Sequence, residues 1–166
     1  MNEGRFLVYT NDNAPRYRLI SVDPRNPQRA NWKEVIAEQP YVLSNVVLAN
    51  NRILAAYDID VMSHLFCYNM QGEKQYEVEL PGQGSLQGIT ADKDTQEAFF
   101  TYTSFIMPRT VYRLDVEKNV SEKYYAPEID FNSDDYESYQ VFFASKDGTR
   151  VPMTITHRKG LEKNGL

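Results

Sequence analysis

Few residues in this chain have the chemistry to act on a substrate. The sequence holds one cysteine, Cys67, and two histidines, His64 and His157. A lone cysteine closes no internal disulfide and builds no cysteine-rich zinc centre. A catalytic histidine needs an orienting partner and a nucleophile within reach. The sequence around His64 and His157 shows neither, and both fall in strand-like runs, so both read as structural residues. Cys67 lies between Phe66 and Tyr68 and reads as a small core residue rather than a reactive thiol. The nearest text to a nucleophile elbow is Gly82-Gln83-Gly84-Ser85-Leu86-Gln87-Gly88. Ser85 follows a glycine directly, so the Gly-x-Ser-x-Gly spacing fails. The dinucleotide pattern Gly-x-Gly-x-x-Gly fails as well, because Gly88 comes one residue late. The run reads as a loop. Asp130-Phe131-Asn132-Ser133-Asp134 imitates the first ligands of a calcium loop. Its sixth position is Asp135 instead of glycine and its twelfth is Val141 instead of glutamate, so it reads as a solvated linker. Asn119-Val120-Ser121 matches a glycosylation acceptor. It carries no weight, because Met1-Asn2-Glu3-Gly4-Arg5 lacks the charged-then-apolar layout of a signal peptide.

Composition narrows the classes further. The chain has 166 residues, of which 42% are apolar, 13% aromatic and 25% charged. That is enough apolar material for a core. Eighteen Lys and Arg against 23 Asp and Glu give a net charge of −5. An acidic balance argues against nucleic acid and anionic membrane, which need clustered cations. The longest apolar run, Ile53 to Tyr57, is too short for a membrane-spanning helix.

The elements that must position these residues follow a period of two. Arg5 to Thr10, Tyr17 to Asp23, Arg52 to Tyr57, His64 to Tyr68, Ala98 to Tyr102 and Thr110 to Leu114 are short runs rich in aromatic and β-branched residues. Asn50-Asn51, Gln71-Gly72 and Asp147-Gly148 supply turn chemistry between runs. Only Gln28 to Glu38 could pass for a helix, and periodicity leaves it open.

The runs repeat. Val22-Asp23, Tyr68-Asn69 and Leu114-Asp115 recur at a spacing of 46 residues, preceded four positions earlier by Leu19, Leu65 and Val111. Tyr9, Tyr57 and Tyr102 mark the strand before, at spacings of 48 and 45. A following strand recurs at Trp32 to Ile36, Tyr76 to Leu80 and Lys123 to Tyr125. Several strands per unit at a period near 45 predict an all-β fold, a partial β-propeller of about three blades. A sandwich of evenly spaced hairpins is the plainer alternative. The 12 tyrosines are expected to pack between blades with their hydroxyls at the rim. Three blades do not close a ring, so the chain is expected to oligomerise or to be part of a longer polypeptide. After the polar link Asn132 to Asp135 the repeat stops. Tyr139 to Ala144 and Thr149 to His157 form a hairpin around Asp147-Gly148, and Lys163-Asn164-Gly165-Leu166 ends without a closing element. Residues 1–131 thus read as blades, and residues 132–166 as a linker and the start of a second domain.

The run Ser145-Lys146-Asp147-Gly148-Thr149-Arg150-Val151-Pro152-Met153 resembles the linker and first strands of the hydrolase domain in prolyl oligopeptidases. Tyr136 and Gln140-Val141-Phe142 fit the same stretch. Tyr102-Thr103-Ser104-Phe105 with Pro108 resembles the family's late-propeller segment, and Asn11 to Ile20, with Pro15 and Tyr17-Arg18-Leu19-Ile20, an earlier blade. The resemblance runs from about Gly4 to Gly160. It implies a two-domain serine peptidase in which a seven-bladed propeller covers an α/β-hydrolase domain, admits short peptides and leaves cleavage after proline to the hydrolase. The hairpin would then begin that α/β-hydrolase domain. The Ser, Asp and His of the family's triad and its oxyanion tyrosine belong downstream of Leu166. No catalytic, cofactor-binding or metal-binding residue is therefore assigned here, and no cofactor is expected. The implied partners are short proline-containing peptides, with the remaining blades and the hydrolase domain in cis, and neither nucleic acid nor membrane. The family occurs in cytosol and in some periplasms, with the cytosol favoured here. Two other readings stand beside it: oligopeptidase B, which cleaves after basic residues, and a self-standing β-repeat module that binds a protein through its open blade faces.

Overall fold

The computed structural model describes residues 4–162 and 164. Met1, Asn2 and Glu3 of the opening, and Lys163, Gly165 and Leu166 of the terminal run, lie outside them. Thirteen strands form four antiparallel sheets, and among the described residues there is no α-helix. β1 (Phe6–Thr10), β2 (Arg18–Val22) and β3 (Lys33–Ile36) form a three-stranded sheet. β4 (Val42–Ala49), β5 (Arg52–Ile59), β6 (Met62–Asn69) and β7 (Lys74–Val78) form a four-stranded meander. β8 (Ser85–Ala91), β9 (Glu97–Ser104), β10 (Met107–Asp115) and β11 (Val120–Tyr125) repeat it. β12 (Tyr136–Ala144) and β13 (Arg150–Arg158) pair with each other alone. The first three sheets are referred to below as blades 1, 2 and 3.

The turns follow from their residues. Asn50 and Asn51 both take positive φ, 42° and 55°, as a two-residue hairpin loop demands. Gly72 (φ 84°) closes the β6–β7 turn, and Asn69 Oδ1 accepts the backbone N–H groups of Gln71 and Glu73 there. No side chain fits at Gly72. A Cβ would sit 1.7 Å from the Val35 carbonyl oxygen of blade 1. Gly148 (φ 83°) turns the β12–β13 hairpin, and Asp147 Oδ1 accepts the N–H of Thr149.

Gln28 to Glu38, which periodicity leaves open, holds no α-helix, and the strand expected at Trp32 to Ile36 is present as β3 (Lys33–Ile36). A single 3-10 turn at Arg29–Asn31 leads into β3, because the edge of β2 offers Val35 and Ile36 a sheet to join. The loop expected at Gly82 to Gly88 ends early, since β8 starts at Ser85. Its glycines and glutamines carry little strand signal. Pairing with β9 makes it a strand, with a register shift between Leu86 and Gly88.

The core lies between blades. Leu54, Ala56, Leu65, Cys67 and Val78 of blade 2 meet Ile89, Ala98, Phe100, Tyr102, Tyr112 and Leu114 of blade 3. On the opposite face, Ile53, Ala55 and Tyr57 meet Leu19 and Ile36 of blade 1. β5 is therefore covered on both sides, which is why Ile53 to Tyr57 is apolar without alternation. Each fully buried Leu or Ile contributes about 1.5–3 kcal/mol of transfer free energy.

Candidate functional site

The two histidines lie apart in the fold. His64 is half-exposed on β6, its Nδ1 2.8 Å from Glu77 Oε1 and its ring stacked on Phe66. A carboxylate-oriented imidazole resembles part of a catalytic triad. The adjacent Ser63 cannot complete it, because neighbouring strand residues point to opposite faces. Ser63 Oγ is also engaged, donating to Asp58 Oδ1 (3.2 Å) and accepting the Leu86 N–H (2.9 Å). His157 on β13 holds its Nδ1 2.9 Å from the Arg158 carbonyl oxygen and 3.4 Å from Glu137 Oε1, with its ring edge-on to Tyr139. Cys67 is fully buried in the interface between blades 2 and 3, and burial pushes its thiol pKa up. It packs as a small apolar residue, out of reach of solvent.

The acidic run from Asp130 is a turn. Asn132 caps a 3-10 turn at Ser133–Asp135, accepting the Asp134 N–H and donating to Asp135 Oδ1. Among the described residues, no three His, Cys, Asp or Glu side chains come together as metal ligands would. Asn119 sits at positive φ (54°) before β11, and its carboxamide donates to the Glu77 carbonyl oxygen.

Several tyrosine hydroxyls serve the seams between blades. Tyr9 donates to the Leu43 carbonyl oxygen of blade 2 (2.5 Å), and Tyr76 of blade 2 donates to that of Val116. Tyr102 donates to Gly82 O (2.6 Å) in the connection from β7 to β8. Burial raises the pKa of Tyr102 to about 12 and pushes those of Tyr57 and Tyr76 higher still.

The hairpin meets the blades at the β5–β6 turn. Gln140 of β12 donates from Nε2 to the Asp60 carbonyl oxygen in the β5–β6 turn, at 2.7 Å. That turn holds Asp60 and Val61 both at positive φ, 49° and 62°. Thr154 of β13 lines a cavity of about 230 Å³ with Val61, the Gln83–Ser85 segment and the β9–β10 turn at Phe105. The segment before β8 is pinned there. Gly84 O accepts the Ser63 N–H at 3.1 Å, and a Cβ on Gly84 would lie 2.3 Å from the Thr103 carbonyl oxygen. No motif links these residues: Gln83 and Ser85 fall in the Gly82 to Gly88 run that fails as a nucleophile elbow, and Val61 and Thr154 carry no signal in the sequence. The one available signal was that Phe105 closes the Tyr102-Thr103-Ser104-Phe105 run that carried the family resemblance.

Successive four-stranded meanders stacked face to face through apolar cores define a β-propeller domain. The chain belongs to the prolyl oligopeptidase family, since residues 1–127 match the family model described as prolyl oligopeptidase, N-terminal beta-propeller domain. The family is one of S9 serine peptidases. A prolyl endopeptidase of Elizabethkingia miricola is 35% identical over 96% of this chain, and one of Dictyostelium discoideum is 30% identical over 95%. The chain spans 22% of the length of each. Among solved structures, one from a study of two prolyl endopeptidases and their inter-domain dynamics superposes with a TM-score of 0.85. It is 36% identical, over 98% of this chain and 24% of that one. The apo prolyl oligopeptidase B of Galerina marginata superposes with a TM-score of 0.86 at 26% identity, over 98% of this chain and 24% of that one.

Proposed function

We propose that these residues are the last propeller blades and the domain junction of a serine endopeptidase that cleaves short peptides after proline. In this reading residues 1–131 are the gating side and residues 132–166 open the α/β-hydrolase domain. The observation that carries it is the change of architecture after β11. The four-stranded meander ends, the family propeller match ends at residue 127, and a two-stranded hairpin with its own pairing begins. The hairpin's two faces fit that role. One carries Tyr139, Val141, Phe143, Val151, Met153 and Ile155, an apolar surface suited to a further layer, with Phe143 and Met153 exposed. The other carries Ser138, Gln140, Thr154 and Thr156 together with Tyr136, Phe142 and Pro152, and Gln140 touches the blades.

The segment supplies size selection and positioning, with the remaining blades, the hydrolase domain and its triad supplied in cis. In this reading the bond-breaking chemistry belongs to the hydrolase domain; among the described residues, neither His64 nor His157 has a nucleophile placed against it. A proline-specific peptidase assay on the pure 166-residue chain and on the full polypeptide that carries it tests this. The full polypeptide is expected to cut a short peptide after proline and to leave the same sequence intact inside a folded protein. The 166-residue chain is expected to cut neither. Cleavage by the pure chain alone, or none by the full polypeptide, overturns the reading.

A further inference from the structure

The cavity between the hairpin and the blades differs in chemistry from the other concave surfaces. All of its lining residues are uncharged, in a protein whose residues are 25% charged. The groove around His64 is lined by Glu77 and Glu79, and that on blade 3 by Glu97, Arg113, Asp115, Lys118 and Glu122. Phe105 projects at the rim with 76% of its surface exposed. Its turn is held from within, since Ser104 Oγ accepts the Ile106 N–H and the Thr103 hydroxyl donates to the Met107 carbonyl oxygen. The exposed ring is therefore carried on an ordered turn rather than a slack loop. Gln83, Ser85 and Thr154 bring a carboxamide and two hydroxyls to the wall. These groups both donate and accept, and none has a side-chain hydrogen bond among the described residues.

We propose that this cavity is a peptide subsite, in which Phe105 packs against an apolar side chain or proline ring while Gln83, Ser85 and Thr154 receive the neighbouring backbone amides. An uncharged wall with an aromatic face and amphoteric polar groups suits a neutral, amide-bearing ligand and rejects a charged one, whose desolvation nothing there would offset. At about 230 Å³ the cavity is smaller than one for a drug-sized molecule, roughly 300–1,000 Å³, so it takes one or two residues of a longer chain. Its walls come from two blades and from the hairpin, so a peptide seated there bridges the two units. The inference rests on the peptidase reading and names Phe105 as a specificity-determining residue for it.

The test has two arms. In the first, the 15N-labelled 166-residue chain is titrated with the capped peptide acetyl-Phe-Gly-Pro-Ala-amide. The amide signals of Gly84, Ser85 and Ser104 to Ile106 are expected to shift together. Phe105→Ala is expected to weaken the effect about tenfold, the scale of an aromatic anchor, while Phe105→Tyr preserves it. Shifts confined to other surfaces, or unchanged binding by Phe105→Ala with an otherwise native spectrum, overturn the proposal. In the second arm, Phe105→Ala in the full polypeptide is expected to raise KM for short peptides with kcat retained. An unchanged KM overturns the subsite, because it means that another part of the protein fills the cavity. Failure of the peptidase reading looks different, as it leaves the wild-type polypeptide without cleavage at all.

Discussion

Individual side chains hold the blades together through contacts that no single blade could make. Tyr76 reaches the Val116 carbonyl across the seam between blades 2 and 3, and Val116 is itself fully buried. Replacing Tyr76 with Phe keeps the ring and strands that carbonyl. Loss of about 1–3 kcal/mol is expected in urea unfolding, the cost of an unsatisfied buried acceptor. Gly72 is constrained twice, by its positive φ and by the Val35 carbonyl oxygen 1.7 Å from where a Cβ would lie. Gly72→Ala must therefore push blade 1 away from blade 2. It is expected to cost at least ~2 kcal/mol, against about 1 kcal/mol for an unhindered glycine at positive φ. The tyrosine repeat was legible in the sequence, but the bonding of its hydroxyls was not. Tyr9 and Tyr102 occupy matching repeat positions, yet one hydroxyl meets a carbonyl of the next blade and the other a connecting segment.

Among the elements, the hairpin turns separate what residue type dictates from what context imposes. Asn50-Asn51 and Asp147-Gly148 have the residues that their backbone angles require, and both were readable in advance. The β5–β6 turn does not. Val61 sits at φ 62°, a region costly for a β-branched side chain, and 69% of its surface is exposed. Val61→Gly is expected to raise stability by about 1 kcal/mol, read as a higher urea midpoint with an unchanged slope. The turn of β12–β13 carries a pH signature. Backbone and hydroxyl donation from Thr149 holds the Asp147 carboxyl below the usual aspartate value. A lowered folded-state pKa stabilises above the unfolded value and is lost as pH falls through the folded one. Amide protection factors in the hairpin, taken relative to the intrinsic exchange rate at each pH, are therefore expected to hold from neutral pH down to about 4, the unfolded aspartate range, and to fall below it. The Gly82 to Gly88 run reads as a loop in sequence because the strand character of Ser85 to Gly88 comes from pairing with β9, and local pattern cannot show a partner.

The whole molecule is a stack whose two outer faces differ. Blade 1 presents Phe6 and Val8, both exposed and apolar. Blade 3 turns a mixed face outward, in which exposed Tyr124 and Tyr125 and the ring of Phe99 sit among charged side chains. Along β9 Ala98, Phe100 and Tyr102 are buried against blade 2, while Phe99, Thr101 and Thr103 between them are not. On β10, Arg113 is bound to Glu97 and Glu122. The buried tyrosines give the stack an alkaline limit. Tyr57, Tyr76 and Tyr102 all have raised pKa values, for which burial is the first cause. A raised folded-state value means that the neutral form is favoured by folding. That stability is complete below about pH 10, the unfolded tyrosine value, and is lost as pH rises toward the folded values. Urea midpoints are expected to hold constant from neutral pH to about 9 and to fall steeply beyond 10, with tyrosinate absorbance rising in the same range as unfolding.

Residue type and local spacing were enough for the all-β class, the repeat near 45 residues, the turns built on Asn and Gly, and the two-stranded hairpin that follows blade 3. Each of these is written in local spacing and residue type. Only the tertiary structure decided which faces of each blade are covered, which hydroxyls cross a seam, and that Val61, Gln83, Ser85, Phe105 and Thr154 line one cavity. Those residues lie up to 93 positions apart, the difference between 154 and 61. The stacking of blades brings them together, because burial of apolar sheet faces, which sets that stacking, acts between segments distant in sequence.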